Sequence, residues 1–221
     1  MWVARFRLKD DADIYAPACE STGVTFQALP LSYYKQAGTL HTIVAGSVAG
    51  DAPRVRAFIT AVRRDQRVRT VEQHHDFLVI HAVHPATREA KAELAIFYDP
   101  RFIHVKPVAI DAQGWEDWEV ACAERPALVR LVSASKRYYH GTLISLREEK
   151  LRNVAALSLA NPLTPKQMAA LREAYAAGYY QYPRKRTIPD LARQAKKSYS
   201  TFQEHLRKAE NKLISYFMKY R

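Results

Sequence analysis

Residues 163–221 constrain this chain more than any other stretch. They read LTPKQMAALREAYAAGYYQYPRKRTIPDLARQAKKSYSTFQEHLRKAENKLISYFMKYR and hold start and stop signals for three helices. Thr164 before Pro165 is an N-cap followed by proline at the first helical position, where the missing N–H costs nothing. Met168, Leu171 and Tyr175 recur at helical spacing, and Gly178 supplies a left-handed stop. Thr187-Ile188-Pro189-Asp190 opens a second, short helix whose apolar face is Ile188, Leu191, Ala192 and Ala195. Lys196 and Lys197 form the turn. Ser198 caps a third helix, about residues 198–213, on which Phe202, Leu206, Ala209 and Leu213 fall at i, i+4, i+7 and i+11. A short helix, a tight turn and a helix with a polar first turn predict a helix-turn-helix, whose second helix enters the major groove of duplex DNA.

The charge is concentrated in the same place. Residues 162–221 hold thirteen Lys and Arg against four Asp and Glu, which is +9 of the formal +12 of the whole chain. A solvated basic appendage would show the same imbalance. Joined to capped helices at helix-turn-helix spacing, it reads instead as the footprint of a phosphate-backbone binder.

The run LTPKQMAALREAYAAGYY, then PRKRTIPDLA, then STFQEHLRKAENKL resembles the helix-turn-helix domain of the archaeal bacterio-opsin activator type. The shared pattern is an LT-x-x-Q opening, an AY-x-x-GYY segment, a P-R turn and a helix containing E-HLR-x-AE-x-KL. Leu163, Thr164, Gln167, Ala174, Tyr175, Gly178, Tyr179, Pro183, Arg184, Leu191, Ala192, His205, Leu206, Arg207, Ala209, Glu210, Lys212 and Leu213 all match it. The resemblance covers about the last quarter of the chain and implies a transcription regulator. It departs in the turn, where the family has a Leu-Gly-Ile/Val run and this chain has Ala195-Lys196-Lys197-Ser198. Losing the glycine predicts a slightly different turn geometry, with added phosphate-facing charge.

Upstream, residues 1–147 read as an α+β domain. Residues 1–8 form an opening strand, and Asp10 to Ser21 a weak helix interrupted at Pro17. A strand at Val24–Leu29, a loop from Pro30 to Thr39, a strand at Leu40–Val48, a helix after Gly50 and a strand at Val68–Gln73 follow. The order β-α-β-β-α-β predicts a ferredoxin-like or ACT-like module for sensing or dimerisation. A partial second copy follows: strands at Phe77–Val83, Ala92–Tyr98, Phe102–Ile110 and Trp118–Ala123, then a helix from Pro126 with Leu128, Val129, Leu131 and Val132 inward, then Tyr138–Leu146. Residues 148–161 are helical in composition and end at Asn161-Pro162, a connector before the helix-turn-helix domain at 162–221.

Other features exclude more than they suggest. Cys19 and Cys122 lie far apart without a C-x-x-C partner and read as reduced, buried thiols. No stretch has signal-peptide character or approaches the ~20 apolar residues of a membrane span, which predicts a soluble, cytoplasmic protein. His74, His75, His81 and His84 cluster, but alternation along a strand splits them between two faces, against a metal site. Trp115, Trp118, Tyr138 and Tyr139 suit a core better than an effector pocket. No phosphate loop, nucleophile elbow or carboxylate pair appears, so neither an enzyme nor a cofactor is expected.

The sequence therefore predicts a DNA-binding regulator, a homodimer whose N-terminal domain accepts an effector or forms the dimer. The alternative is an adaptor that docks a protein through Tyr216, Phe217, Met218 and Tyr220. Tyr199, Ser200, Thr201, Gln203 and Glu204 are the expected base readers: Gln203 on adenine, Glu204 on cytosine, Ser200 and Thr201 on base or phosphate, Tyr199 on sugar or a thymine methyl. Arg207, Lys208, Lys196, Lys197 and the run Arg184-Lys185-Arg186 are the expected phosphate contacts.

Overall fold

The computed structural model describes the chain except residues 88, 89, 91–93, 96, 152–162 and 220–221, with the side chains of 216–219 also outside the description. It divides into two compact units, Met1–Ala160 and Asn161–Arg221. Most of the expected connector at 148–161 lies outside the described residues.

The first unit runs β1 (Trp2–Lys9), α1 (Ala16–Thr22), β2 (Thr25–Gln36), β3 (Thr39–Ala49), α2 (Ala52–Arg64), β4 (Val68–His74), β5 (Phe77–Pro85), β6 (Ile103–His104), β7 (Val108–Ile110), β8 (Trp115–Cys122), α3 (Arg125–Tyr138) and β9 (Thr142–Glu148). All the strands join one antiparallel sheet in the order β4-β5-β3-β2-β7-β8-β1-β9, with β6 alongside β8. Alternation along the strands sends one set of side chains to a common face: Ala4, Phe6 and Leu8 of β1, Phe26 and Ala28 of β2, Leu78, Ile80 and Ala82 of β5, Trp118 and Val120 of β8. Phe58, Ile59 and Val62 of α2 and Leu128, Leu131 and Val132 of α3 close over them in the same core, so both helices cover the same face. Gly46 is required there, because a Cβ would lie 2.4 Å from the Phe26 ring. The opposite face of β1 and β8 is ionic: Arg5 bonds Glu119 at 2.9 Å and Glu149 at 2.6 Å, and Lys106 reaches Glu119 at 2.8 Å.

Several expectations are corrected. Pro17 does not interrupt a helix; it opens α1, and Asp13 Oδ2 accepts the N–H groups of Tyr15 and Ala16 just before it. The loop expected at Pro30–Thr39 is mostly strand. Proline is tolerated because β2 pairs with β7 only over Phe26–Ala28 and its ladder with β3 shifts register at Pro30/Ser32. Ala37 and Gly38, both left-handed, make the turn. The strand expected at Ala92–Tyr98 is helical at its described residues Leu94, Ala95 and Phe97, with Tyr98 N–H donating to the Leu94 carbonyl at 2.8 Å. Phe97 packs edge-on against Trp118 and Tyr139, which outweighs the β-propensity of its neighbours. Val129 faces out of α3 rather than in, and Tyr138 ends that helix instead of starting a strand.

The pairing of β1 is equally nonlocal. A four-stranded module closed within residues 1–74 would hold β1 between β3 and β4. That place belongs to β5, and β1 lies between β8 and β9.

His104 packs on Trp118 with ring centroids 5.5 Å apart, and burial holds its pKa down to about 4. An unfolded histidine takes its proton near 6.5, so between about pH 6.5 and 4 the unfolded chain binds more protons and stability falls with pH. His104→Phe keeps a ring there and removes that proton. Melting temperatures measured across this window should diverge in favour of the variant as pH drops; parallel curves would clear His104 of any part in acid sensitivity.

Candidate nucleic-acid interface

The second unit contains α4 (Pro165–Ala176), α5 (Ile188–Gln194) and α6 (Tyr199–Lys219). Each start is fixed locally. Thr164 and Gln167 form a reciprocal capping box, with Gln167 Oε1 accepting from Thr164 N–H at 3.0 Å. Asp190 Oδ2 accepts both the N–H and the hydroxyl of Thr187, and these bonds hold its carboxyl below the usual range. Ser198 Oγ accepts from Thr201 N–H at 3.2 Å at the head of α6. Gly178, at φ +78, stops α4 as Tyr179 N–H reaches back to the Ala174 carbonyl at 2.9 Å.

Ala170, Ala174, Tyr179, Leu191, Ala192, Phe202 and Leu206 form one core, with Phe202, Leu206 and Ala209 completely buried. The third helix therefore presents the expected stripe through Phe202, Leu206 and Ala209, with Leu213 half-buried. The first does so only at Leu171, which packs against the core: its buried positions are Gln167, Ala170 and Ala174, while Tyr175 is 76% exposed. Small side chains, rather than the large ones at Met168 and Tyr175, let the helices approach.

The turn keeps a left-handed residue without a glycine. Lys196 sits at φ +52, and Lys197 N–H bonds the Ala192 carbonyl at 2.9 Å across it. The lysine thus takes up backbone geometry that glycine adopts more readily. Lys196→Gly should stabilise this unit by ~0.5–1 kcal/mol while removing one exposed charge. A thermal melt no higher than that of the parent would mean that the turn is not strained.

The expected contact residues are placed as follows. Tyr199, Ser200, Thr201, Glu204, Arg207 and Lys208 are exposed on α6, and Lys196 and Lys197 in the turn before it. Gln203 is half-buried, on the flank of the helix beside the core stripe. Ser200, Glu204 and Arg207 follow i, i+4, i+7 on the side opposite Phe202 and Leu206. Asn211 continues that line, is exposed, and falls at the same helical period as Ser200, Glu204 and Arg207. Glu204 is bound to Lys208 Nζ at 2.6 Å, which lowers its carboxyl pKa, and Arg207 leans on Glu210 at 3.4 Å. Tyr180 hydroxyl donates to the other oxygen of Glu210 at 2.8 Å, pinning the segment after α4 to α6. Arg184, Lys185 and Arg186 are exposed in that segment, with the Arg184 guanidinium 4.6 Å above the Tyr179 ring. Tyr182 beside them is fully exposed.

Three packed helices, a tight turn and an outward polar line on the last helix are the geometry of a helix-turn-helix. Residues 163–215 match the family model described as the HTH DNA binding domain. Over 59 residues, 27% of this chain, the sequence is 39% identical to the bacterioopsin transcriptional activator of Halobacterium salinarum. That stretch covers 9% of the relative's length. Both findings agree with the resemblance carried by the LT-x-x-Q and E-HLR-x-AE-x-KL segments.

The other candidates are dispersed. His81 Nε2 lies 2.9 Å from His41 Nδ1 in a stack with Tyr34, His84 meets Thr42 at 3.2 Å, and the His74 and His75 rings meet edge to face at 4.6 Å. Among the described residues no group of three metal-ligating side chains converges. Cys19 and Cys122 are buried free thiols. No helix among the described residues is long and apolar enough to cross a membrane.

Proposed function

We propose that the chain is a transcription regulator in which α6 reads the major groove of duplex DNA. The exposed line through Ser200, Glu204 and Arg207, opposite a stripe of fully buried apolar side chains, carries this reading. Ser200, Thr201, Glu204 and Tyr199 meet base edges or sugars from the first turns, and Gln203 reaches an adenine from the flank. Glu204 accepts from a cytosine through the carboxylate oxygen that Lys208 does not hold. Arg207, Lys196, Lys197 and the Arg184–Arg186 run hold the backbone on either side. Selection from a random duplex pool by the full-length protein should enrich one sequence; a pool that stays random after repeated rounds, or no retention at low salt, would sink the reading.

The N-terminal unit serves as the effector-receiving or dimer-forming part. We read it as two ferredoxin-like copies that exchange first strands. In support, β1-α1-β2-β3-α2-β4 is followed by β5, helical residues at Leu94, Ala95 and Phe97, then β7-β8-α3-β9, the same order again apart from the two-residue β6. The two halves of the sheet, β4-β5-β3-β2 and β9-β1-β8-β7, then have equivalent strand orders, each with the other copy's first strand in second place. Two copies of the chain would give two recognition helices, which one short helix needs to discriminate an operator. Ile214, 62% exposed on α6, offers apolar surface for this. Light scattering should return twice the chain mass of 25.3 kDa; a single chain mass at micromolar concentration would remove the dimer.

A further inference from the structure

Against the sheet the N-terminal unit holds a partly open cavity of about 310 Å³, near the lower end of the ~300–1,000 Å³ typical of small-molecule sites. Its walls are aromatic at Tyr15, Phe97, Tyr98, Trp118 and Tyr139. Glu116 also lines it. Glu116 is 6% exposed and its Oε2 accepts from Trp118 Nε1 at 2.9 Å. Among the described residues no Lys or Arg forms an ion pair with it.

The charges around the cavity deepen this imbalance. Asp13 lines it too. Arg67 is the described lining residue with a fixed positive charge, but its guanidinium is taken up by Asp65 at 2.7 and 2.9 Å and by the Ala12 carbonyl at 2.7 Å. His84, also in the wall, is held toward its neutral form by burial and by Arg67. A buried acid without a cationic partner is costly unless it is neutral or a cation comes to it. Burial, reinforced by Asp13, pushes the Glu116 carboxyl well above its usual range, toward the neutral form. An ammonium beside it would restore the carboxylate.

We propose that this cavity binds a small organic cation, an amine or ammonium carried on an apolar or aromatic body, with Glu116 as its counter-ion and the surrounding rings as its cage. Carboxylate and π-faces both attract a desolvated ammonium, and neither favours an anion. The proposal rests on reading the N-terminal unit as the effector-receiving part, and it names the chemical class of that effector.

Calorimetry on the full-length protein with three probes of one shape tests it: 2-(2-naphthyl)ethylamine, 2-(2-naphthyl)ethanol and 2-naphthylacetate. The amine should bind at least about tenfold more tightly than the alcohol, and the carboxylate least well. Glu116→Gln keeps the volume and an acceptor for Trp118, and should bring the amine to the affinity of the alcohol while leaving the alcohol unchanged. Equal binding of amine and alcohol by the parent protein would overturn the cation site yet leave an effector pocket standing. Preference for the carboxylate, or an amine preference that survives Glu116→Gln, would also overturn it. Failure of all three probes would overturn the cation site and count against the effector reading as well. The probe ratio on the parent protein decides the matter even if the variant does not fold.

Discussion

Phe202→Ala should unfold the C-terminal unit, whereas Gln203→Ala should leave it folded and remove only discrimination. Phe202 is completely buried in a core of seven side chains, two of them contributed by α5 and three by α4 and the residue that follows its stop. Truncating it leaves a cavity worth ~3–5 kcal/mol, comparable to the whole stability of a unit this small. The facing core residues of α4, Ala170 and Ala174, are too small to fill the space. Gln203 sits one position along on the flank, half-buried and outside that core. Its loss should move the melting temperature little and weaken operator binding by ~1–3 kcal/mol, with binding to scrambled duplex nearly unchanged. Circular dichroism melts beside titrations on selected and scrambled duplexes separate the two. If Gln203→Ala melts the unit and Phe202→Ala spares it, α6 is rotated and the proposed contacts fail together.

The second large effect is on salt. With +9 concentrated in residues 162–221, about six phosphate contacts would give a slope near −5 on a log–log plot and a loss of ~10³ in affinity between 50 and 200 mM salt. Lys196→Ala with Lys197→Ala should reduce the slope by ~1 per lysine and leave sequence preference intact, because backbone contacts carry no base information. Lys208→Ala should reduce it less, since Glu204 already neutralises that lysine in the free protein at 2.6 Å. Anisotropy that hardly changes with salt would remove the C-terminal unit as a phosphate-backbone binder.

The two halves of the molecule differ in how far their residues announced them. Caps at Thr164, Thr187 and Ser198, the stop at Gly178 and the period of Phe202, Leu206 and Ala209 each act within about four residues, so the chain states them directly. The turn was legible in place but not in conformation: nothing in the residue name says that Lys196 adopts a glycine's backbone. The buried face of α4 was misread because the large side chains at Met168 and Tyr175 follow a helical period as well as Ala170 and Ala174 do; only contact with α5 and α6 selects the alanines.

In the N-terminal unit the sequence by itself determined most of the strands and α2, since alternation and caps are local. Only the tertiary structure decided that β1 pairs with β8 and β9, more than a hundred residues away, because antiparallel strands with similar alternating faces satisfy each other's hydrogen bonds equally well and global closure chooses among them. The same closure brings Tyr15, Tyr98, Glu116 and Tyr139 to one cavity. Each reads alone as an ordinary core or surface residue. Their chemistry arises from being buried together, and desolvation is a property of the packed unit that no single stretch of sequence contains.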